Sequence, residues 1–332
     1  MMKGWTEPDT RDEVVDFIAF KKSQTGLSES HLLKLLKFDR KKFYNWKQAY
    51  GRPWLYSCNL PSLEQITEQE KEAVINFYKE HPNDGYRRCA YMMIDQDIAY
   101  IQPSSVYRIL TEAGVMRSRT AKISSKGNGF TQPLAAHEQW HSDITNVTCG
   151  DTVYHLISII DGYSRAVIAW SLREKMKTKD VNIVFQKATE LFPEETPRCI
   201  TDNGSQYKSR EFTQFIARNQ YSHTTTAPYY PQSNGKQERF HGSLKSECIR
   251  VMAPMNKADA ERIIDQYVKY YNNQRLHSAT SYVTPSDMLK GRQKQILELR
   301  DHKLKEAKIH RRKFNLNKKE KENNHKVEIK SA

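Results

Sequence analysis

Cysteine is scarce and scattered in this chain. Cys58, Cys89, Cys149, Cys199 and Cys248 are odd in number and far apart, with no CxxC pair and no paired histidines at zinc-ligand spacing. That excludes a disulfide scaffold and a zinc module, and predicts free thiols in a reducing cytoplasmic setting. No apolar run approaches the roughly 20 residues that a membrane helix needs, and Met1 to Glu13 is polar and partly acidic, so neither a membrane span nor an export signal is expected. No repeat of solenoid length is present. Acid is the minority charge: Lys and Arg outnumber Asp and Glu by 53 to 39, a net +14. Such an excess favours a polyanionic partner, of which nucleic acid is the simplest. With 38% hydrophobic residues in 332, the chain can still bury a core over two or three domains.

The pattern along the chain divides it into six stretches. Residues 1–60 hold a helix-turn-helix candidate: Leu27 to Gly51 reads as two short helices, with an apolar face of Leu32, Leu33, Leu35 and Leu36, and with Asp39 able to cap the second. Arg40, Lys41, Lys42 and Lys47 on that helix are candidate DNA contacts, and Trp46 is a candidate core residue. Residues 61–116 read as a second helical module of three helices, the last capped by Ser104 or Ser105, with Arg87, Arg88, Ser105 and Arg108 as candidate contacts. Residues 117–136 form a basic linker without periodicity. From Glu138 the period shortens to two. Trp140 to Cys149, Val153 to Asp161 and Val167 to Leu172 predict an antiparallel meander, and the following runs complete the order βββαβαβα over residues 137–252. That order is that of a ribonuclease H-like α/β core, a mixed five-stranded sheet with helices, here preceded by all-α modules. Residues 253–290 add a helical extension, and 291–332 a flexible basic tail with fourteen basic and six acidic residues.

Within the first strand, alternation puts His141, Asp143 and Thr145 on one face. Asp202 ends the strand that starts at Arg198, and Glu238 follows after 35 intervening residues in the first turn of a predicted helix. If the two strands are neighbours, the two aspartates converge. Carboxylates gathered without a counter-ion repel each other, so divalent metal is the reason to gather them. Two Mg²⁺ ions, with Mn²⁺ as a substitute, could then serve in-line displacement at phosphorus, Asp143 bridging both and Asp202 and Glu238 completing one each. Lys245, two turns beyond Glu238 on the same helical face, is a candidate phosphate contact, as are Lys236 and Arg239 beside it. Tyr229, Tyr230 and Gln232 lie in a loop that could order on DNA. Asp161 also ends a strand, but Asp-Gly is a hairpin-turn pair and the turn accounts for it.

Thr-Asp-Asn-Gly-Ser-Gln-Tyr from Thr201, Pro-Tyr-Tyr-Pro-Gln-Ser-Asn-Gly-Lys-Gln-Glu ending at Glu238, and a lysine seven residues later are a specific combination. Over about Glu138 to Leu289 the chain resembles the catalytic core of integrases and of bacterial transposases of the Asp-Asp-Glu type, most closely the insertion sequence 3 family. Tyr270 to Ser278 with Thr284-Pro285, and more weakly Gly85-Tyr86-Arg87-Arg88 upstream, extend the similarity. The resemblance implies Asp143, Asp202 and Glu238 as catalytic metal ligands, Lys245 as a DNA contact, and strand cleavage and transfer at the ends of a mobile element. It implies double-stranded DNA as partner, with a homo-oligomer holding two ends, and no small-molecule cofactor. Two alternatives stand beside it: a catalytically idle transposon-derived DNA-binding protein or repressor, and a ribonuclease H-like nuclease that only hydrolyses.

Overall fold

The computed structural model describes residues 8–51, 62–116, 132–226 and 235–331. The chain divides into two units, residues up to 65 together with those from 315 onward, and residues 66–314. Among the described residues no helix is long and apolar enough to cross a membrane, and the four cysteines described are free and buried.

The smaller unit contains α1 (Pro8–Thr25), α2 (Glu29–Leu35) and α3 (Arg40–Gln48). Ser28 and Asp39 cap α2 and α3 by accepting from the backbone N–H of His31 and Lys42. Val15, Ile18, Leu32, Leu33, Phe43 and Trp46 pack into one core. Two helices were expected over residues 1–60, and three are found among the residues described there. The apolar residues of α1 spread around its circumference, leaving Phe17 and Phe20 exposed, so no stripe marks the helix in the sequence. Leu35 and Leu36 are also exposed, so that only Leu32 and Leu33 of the expected four-leucine face are buried.

In the larger unit α4 (Glu68–Glu80), α5 (Tyr86–Asp95) and α6 (Pro103–Glu112) close around Val74, Phe77, Met93, Val106 and Leu110. A capping box between Thr67 and Glu70 starts α4. Neither Ser104 nor Ser105 caps α6. Gln102 holds that position and Pro103 fills the first helical one, where its missing N–H costs nothing.

The sheet consists of β1 (Gln139–Cys149), β2 (Thr152–Asp161), β3 (Val167–Arg173), β4 (Arg198–Thr201) and β5 (Ser222–Thr225), in the order β3-β2-β1-β4-β5. The first three pair antiparallel, whereas β1–β4 and β4–β5 pair parallel, which is the mixed ribonuclease H-like sheet expected. Helices α7 (Thr178–Leu191), α8 (Ser205–Lys208) and α9 (Arg210–Arg218) link the parallel strands. On one face Trp140, Ile157, Val184, Phe185 and Phe212 form a core. On the other, Leu156 packs with Phe240 and Leu244 of α10 (Gly235–Leu244). A π turn (Lys245–Ile249) and α11 (Arg250–Met252) follow, and then α12 (Lys257–Asn273), whose Ile263, Ile264, Tyr267, Val268 and Tyr271 enlarge the same core. The period of two along β2 sends Leu156 and Ile157 into opposite cores.

Beyond α13 (Pro285–Leu289), the expected flexible tail is instead a helix, α14 (Gln293–Ser331). Arg300 forks onto Asp95 at 2.7 and 2.6 Å, Lys303 bonds Asp97, and Arg311 grips Glu70 at 3.0 and 2.8 Å. Residues 296, 300, 303, 307 and 311 recur at helical spacing and face the module of α4–α6, a stripe that the density of charge conceals in the sequence. That module and the sheet therefore belong to one unit rather than to separate domains.

Candidate active site

Strands β1 and β4 are neighbours, in the register Gln139↔Arg198, Trp140↔Cys199 and His141↔Ile200. Continuing that parallel register by two residues brings Asp143 beside Asp202, where β4 ends. Each aspartate fixes one oxygen on a backbone amide: Asp143 Oδ1 accepts from Ile144 N and Asp202 Oδ1 from Gly204 N, both at 2.9 Å. The second turn is tight, since a Cβ on Gly204 would come within 3.0 Å of Asp202 Oδ1 and of Gln206 Oε1. Below the pair, buried Tyr207 bonds Ser142 at 3.0 Å and supports β1 from the opposite face.

Helix α10 crosses this edge and is pinned by a polar network that sequence reading missed. Gln237, fully buried, donates to His141 O at 2.6 Å and Ser158 O at 3.0 Å, while Ser158 Oγ meets Gln237 Oε1 and His241 Nε2 at 3.0 and 3.1 Å. His241 Nδ1 stands 3.8 Å from Asp143 Oδ2. Gln237, Phe240, His241, Leu244 and Cys248 make the inner stripe of the helix, and two polar residues within an otherwise apolar stripe are the signal that could have revealed the network. With Gln237 inside, Glu238 is turned to the exposed flank beside the aspartates. Lys245 lies not in open solvent but against β1, donating to Thr145 Oγ1 at 2.7 Å.

Burial is the main cause that pushes the Asp143 carboxyl up to about 6, and the charges of Asp202 and Glu238 add to it against the Ile144 amide and Lys245. Burial likewise pulls His241 down to about 4, with Lys245 adding to the effect, so the imidazole is neutral near pH 7. The folded protein thus holds the Asp143 proton more tightly than the unfolded chain does. Its penalty on stability is absent below the unfolded value, grows as pH rises from 3.8 to about 6, and is full above that. We expect Asp143→Asn to stabilise the metal-free protein at pH 8 by on the order of 2 kcal/mol, and by much less at pH 4. Thermal melts in chelator at both pH values read this directly, and equal shifts at the two would refute it.

Asp161 plays a different part. Its two oxygens accept from His137 N, Ser164 N and Ser164 Oγ at 2.8, 2.7 and 2.6 Å, so this buried carboxylate closes a turn.

Residues 133–231 and 219–285 each match the integrase core domain family. Together these two stretches make residues 133–285 similar to that family. Among relatives, a putative transposase for insertion sequence element IS150 of Escherichia coli (strain K12) is 24% identical over 267 residues, spanning 76% of this chain and 90% of that protein. The transposase for insertion sequence element IS904 of Lactococcus lactis subsp. lactis (strain IL1403) is 28% identical over 186 residues, 55% of this chain and 72% of the relative. A solved structure of the HTLV-2 integrase catalytic core domain in complex with magnesium covers 47% of this chain and 98% of its own at 21% identity, with a TM-score of 0.39.

Away from the carboxylate edge of the sheet, the structure separates the candidate DNA contacts. Lys236 is half-buried beside Arg165, Asp161, Glu138 and Arg198; burial first, then Arg165, pulls it down to about 7. Arg239 is exposed. On α3, Arg40 and Lys41 are exposed, whereas Lys42 lies 4.8 Å over the Trp46 ring and Lys47 pairs with Glu29 at 2.7 Å. On α5, Arg87 is exposed while Arg88 pairs with Asp84, and on α6 Arg108 bonds Ser105 at 3.0 Å. Tyr229, Tyr230 and Gln232 lie outside the described residues, as does most of the expected linker 117–136.

Proposed function

We propose that this protein is a DNA transposase that cuts at the ends of a mobile element and joins those ends to a target, using Asp143, Asp202 and Glu238 as metal ligands. The observation that carries the reading is the parallel pairing of β1 with β4, which sets Asp143 next to Asp202 beneath the helix bearing Glu238. The donor set is all oxygen, as hard Mg²⁺ or Mn²⁺ prefers, and each aspartate keeps a second oxygen beyond its backbone bond. Among the described residues no three such side chains are already closed into a cage. Glu238, exposed and in the first turn of α10, would complete the set.

Two divalent ions bound there would supply an activated water or 3′-hydroxyl and a stabilised leaving oxygen. Asp143, Asp202 and Glu238 would hold them through carboxylate oxygens. Gln237 and His241 hold the helix against the sheet, and Lys245 at Thr145 presents a cation where a phosphate of the DNA backbone passes. Joining requires two ends in one complex, so the active form is an oligomer on double-stranded DNA.

Labelled duplex carrying the element's own flanks tests the reading. We expect nicked and joined products with Mg²⁺ or Mn²⁺ and none in chelator. Nicks without joining would assign a hydrolytic nuclease, and bound but uncut DNA would assign a binding protein or repressor.

A further inference from the structure

A cleft of about 690 Å³ lies within the larger unit, where the module of α4–α6 meets the turn after α12. Its walls carry Tyr78, Tyr86, Tyr107 and Tyr282 together with Arg87 and Arg88, and among the described residues no carboxylate lines it. Tyr107 is presented to the cleft, 45% exposed, with its centroid 5.1 Å from that of Tyr86, while Tyr78 and Tyr86 pack partly against the core of the α4–α6 module. Arg87 is exposed and reaches over the Tyr86 ring at 5.5 Å, with the hydroxyls of Tyr86 and Tyr282 close enough to favour its charge.

Tyr282 is held in place at a cost. It and Ser281 both occupy the left-handed backbone region, at φ 59° and 57°. Three contacts enforce this: Tyr282 N donates to His277 O at 2.7 Å, Tyr282 O accepts from Arg300 at 2.8 Å, and the ring stacks on Tyr91 at 4.8 Å. Arg300 in turn caps the other ring of that stack, 4.9 Å from Tyr91. One wall of the cleft is thereby rigid before anything enters.

We infer that this cleft binds an unpaired DNA strand, with a base stacked on the exposed Tyr107 ring and a phosphate on Arg87. Aromatic faces flanked by guanidinium groups suit nucleotides of any sequence. A concave site whose rings are set inside it cannot stack on a base still paired within a duplex, so the strand must be single. The inference deepens the proposed function and rests on it for its role, since cutting beside an element end frees unpaired nucleotides that must be held clear of the carboxylates.

Fluorescence anisotropy of the full chain in chelator, where nothing is cut, tests the cleft apart from the chemistry. The probes are a blunt duplex and the same duplex with a short unpaired overhang. We expect the overhang to tighten binding by on the order of tenfold, Tyr107→Ala to abolish that preference with blunt affinity nearly unchanged, and Tyr107→Phe to keep it. Arg87→Gln should weaken overhang binding and flatten its salt dependence. No preference in the wild type, or a preference surviving in Tyr107→Ala, overturns the inference. So does loss of self-association in Tyr107→Ala with overhang binding intact, which would assign the cleft to a second copy. An intact preference in a protein that neither cuts nor joins would instead leave the cleft standing and sink the transposase.

Discussion

Glu238→Gln protein is expected to lose strand cutting and joining while it still binds duplex DNA. The amide is nearly isosteric and the side chain is exposed at the flank of α10, so the substitution leaves Gln237, Phe240 and His241 undisturbed beneath it. What it removes is the negative charge of one of the three proposed oxygen donors. Residues that merely orient a metal ligand typically cost about 10- to 100-fold in activity when replaced, so losing a ligand should exceed that range. Asp143→Asn should match it, although by another route, since the amide also relieves the crowding of charge that pushes Asp143 up to about 6. The measurement is the formation of nicked and joined products under Mg²⁺ and Mn²⁺, with a binding curve for each variant. Activity within a few-fold of wild type in Glu238→Gln would remove Glu238 from the ligand set.

The second large effect concerns stability. Glu247, in the π turn that follows α10, accepts from Arg275 Nε at 2.8 Å, Arg275 Nη2 at 2.6 Å and the Tyr267 hydroxyl at 2.9 Å. Burial would raise the Glu247 carboxyl, but the hydrogen bonds and charge of Arg275 outweigh it and hold it below the usual range. Its contribution is therefore present at neutral pH and is lost as pH falls through that depressed value. Glu247→Leu leaves the Arg275 guanidinium, 8% exposed, without its counter-charge. Breaking such a buried pair from one side costs about 3–5 kcal/mol, which for a unit of this size lowers the melting temperature by roughly 10 °C. The double variant Glu247→Leu/Arg275→Met should recover much of the loss, because no buried charge remains. The π turn begins at Lys245, so joining per folded molecule should also decline in the single variant, as the lysine loses its seat at Thr145. A single variant that melts like wild type would show the pair to be dispensable.

The parts of this molecule that repeat a simple period were legible in its sequence. The alternation around Asp143, the β-rich run ending at Asp202 and the placement of Glu238 in a first helical turn all recur in the structure. The motif from Tyr270 to Ser278 was visible as a resemblance, but not its physical work. Asn272 clamps Val167 through both its N–H and C=O at 2.9 Å, Tyr271 packs edge-on against Phe240, and Arg275 grips Glu247. Those partners lie far away in sequence, and no local rule names them. The same limit hid Gln237, whose partners belong to two different strands. It also hid the ordered helix in the basic stretch, whose cations look solvated until the acids of α4 and α5 are placed opposite them.

That last pairing sets an order of events during synthesis. Asp95 meets Arg300 across 205 residues of chain, and Glu70 meets Arg311 across 241. Translation at about 5–20 residues per second opens an interval of some tens of seconds in which the module of α4–α6 has left the ribosome with those acids still uncovered. A ribosome that stops early releases a module whose acids have no cation to meet them.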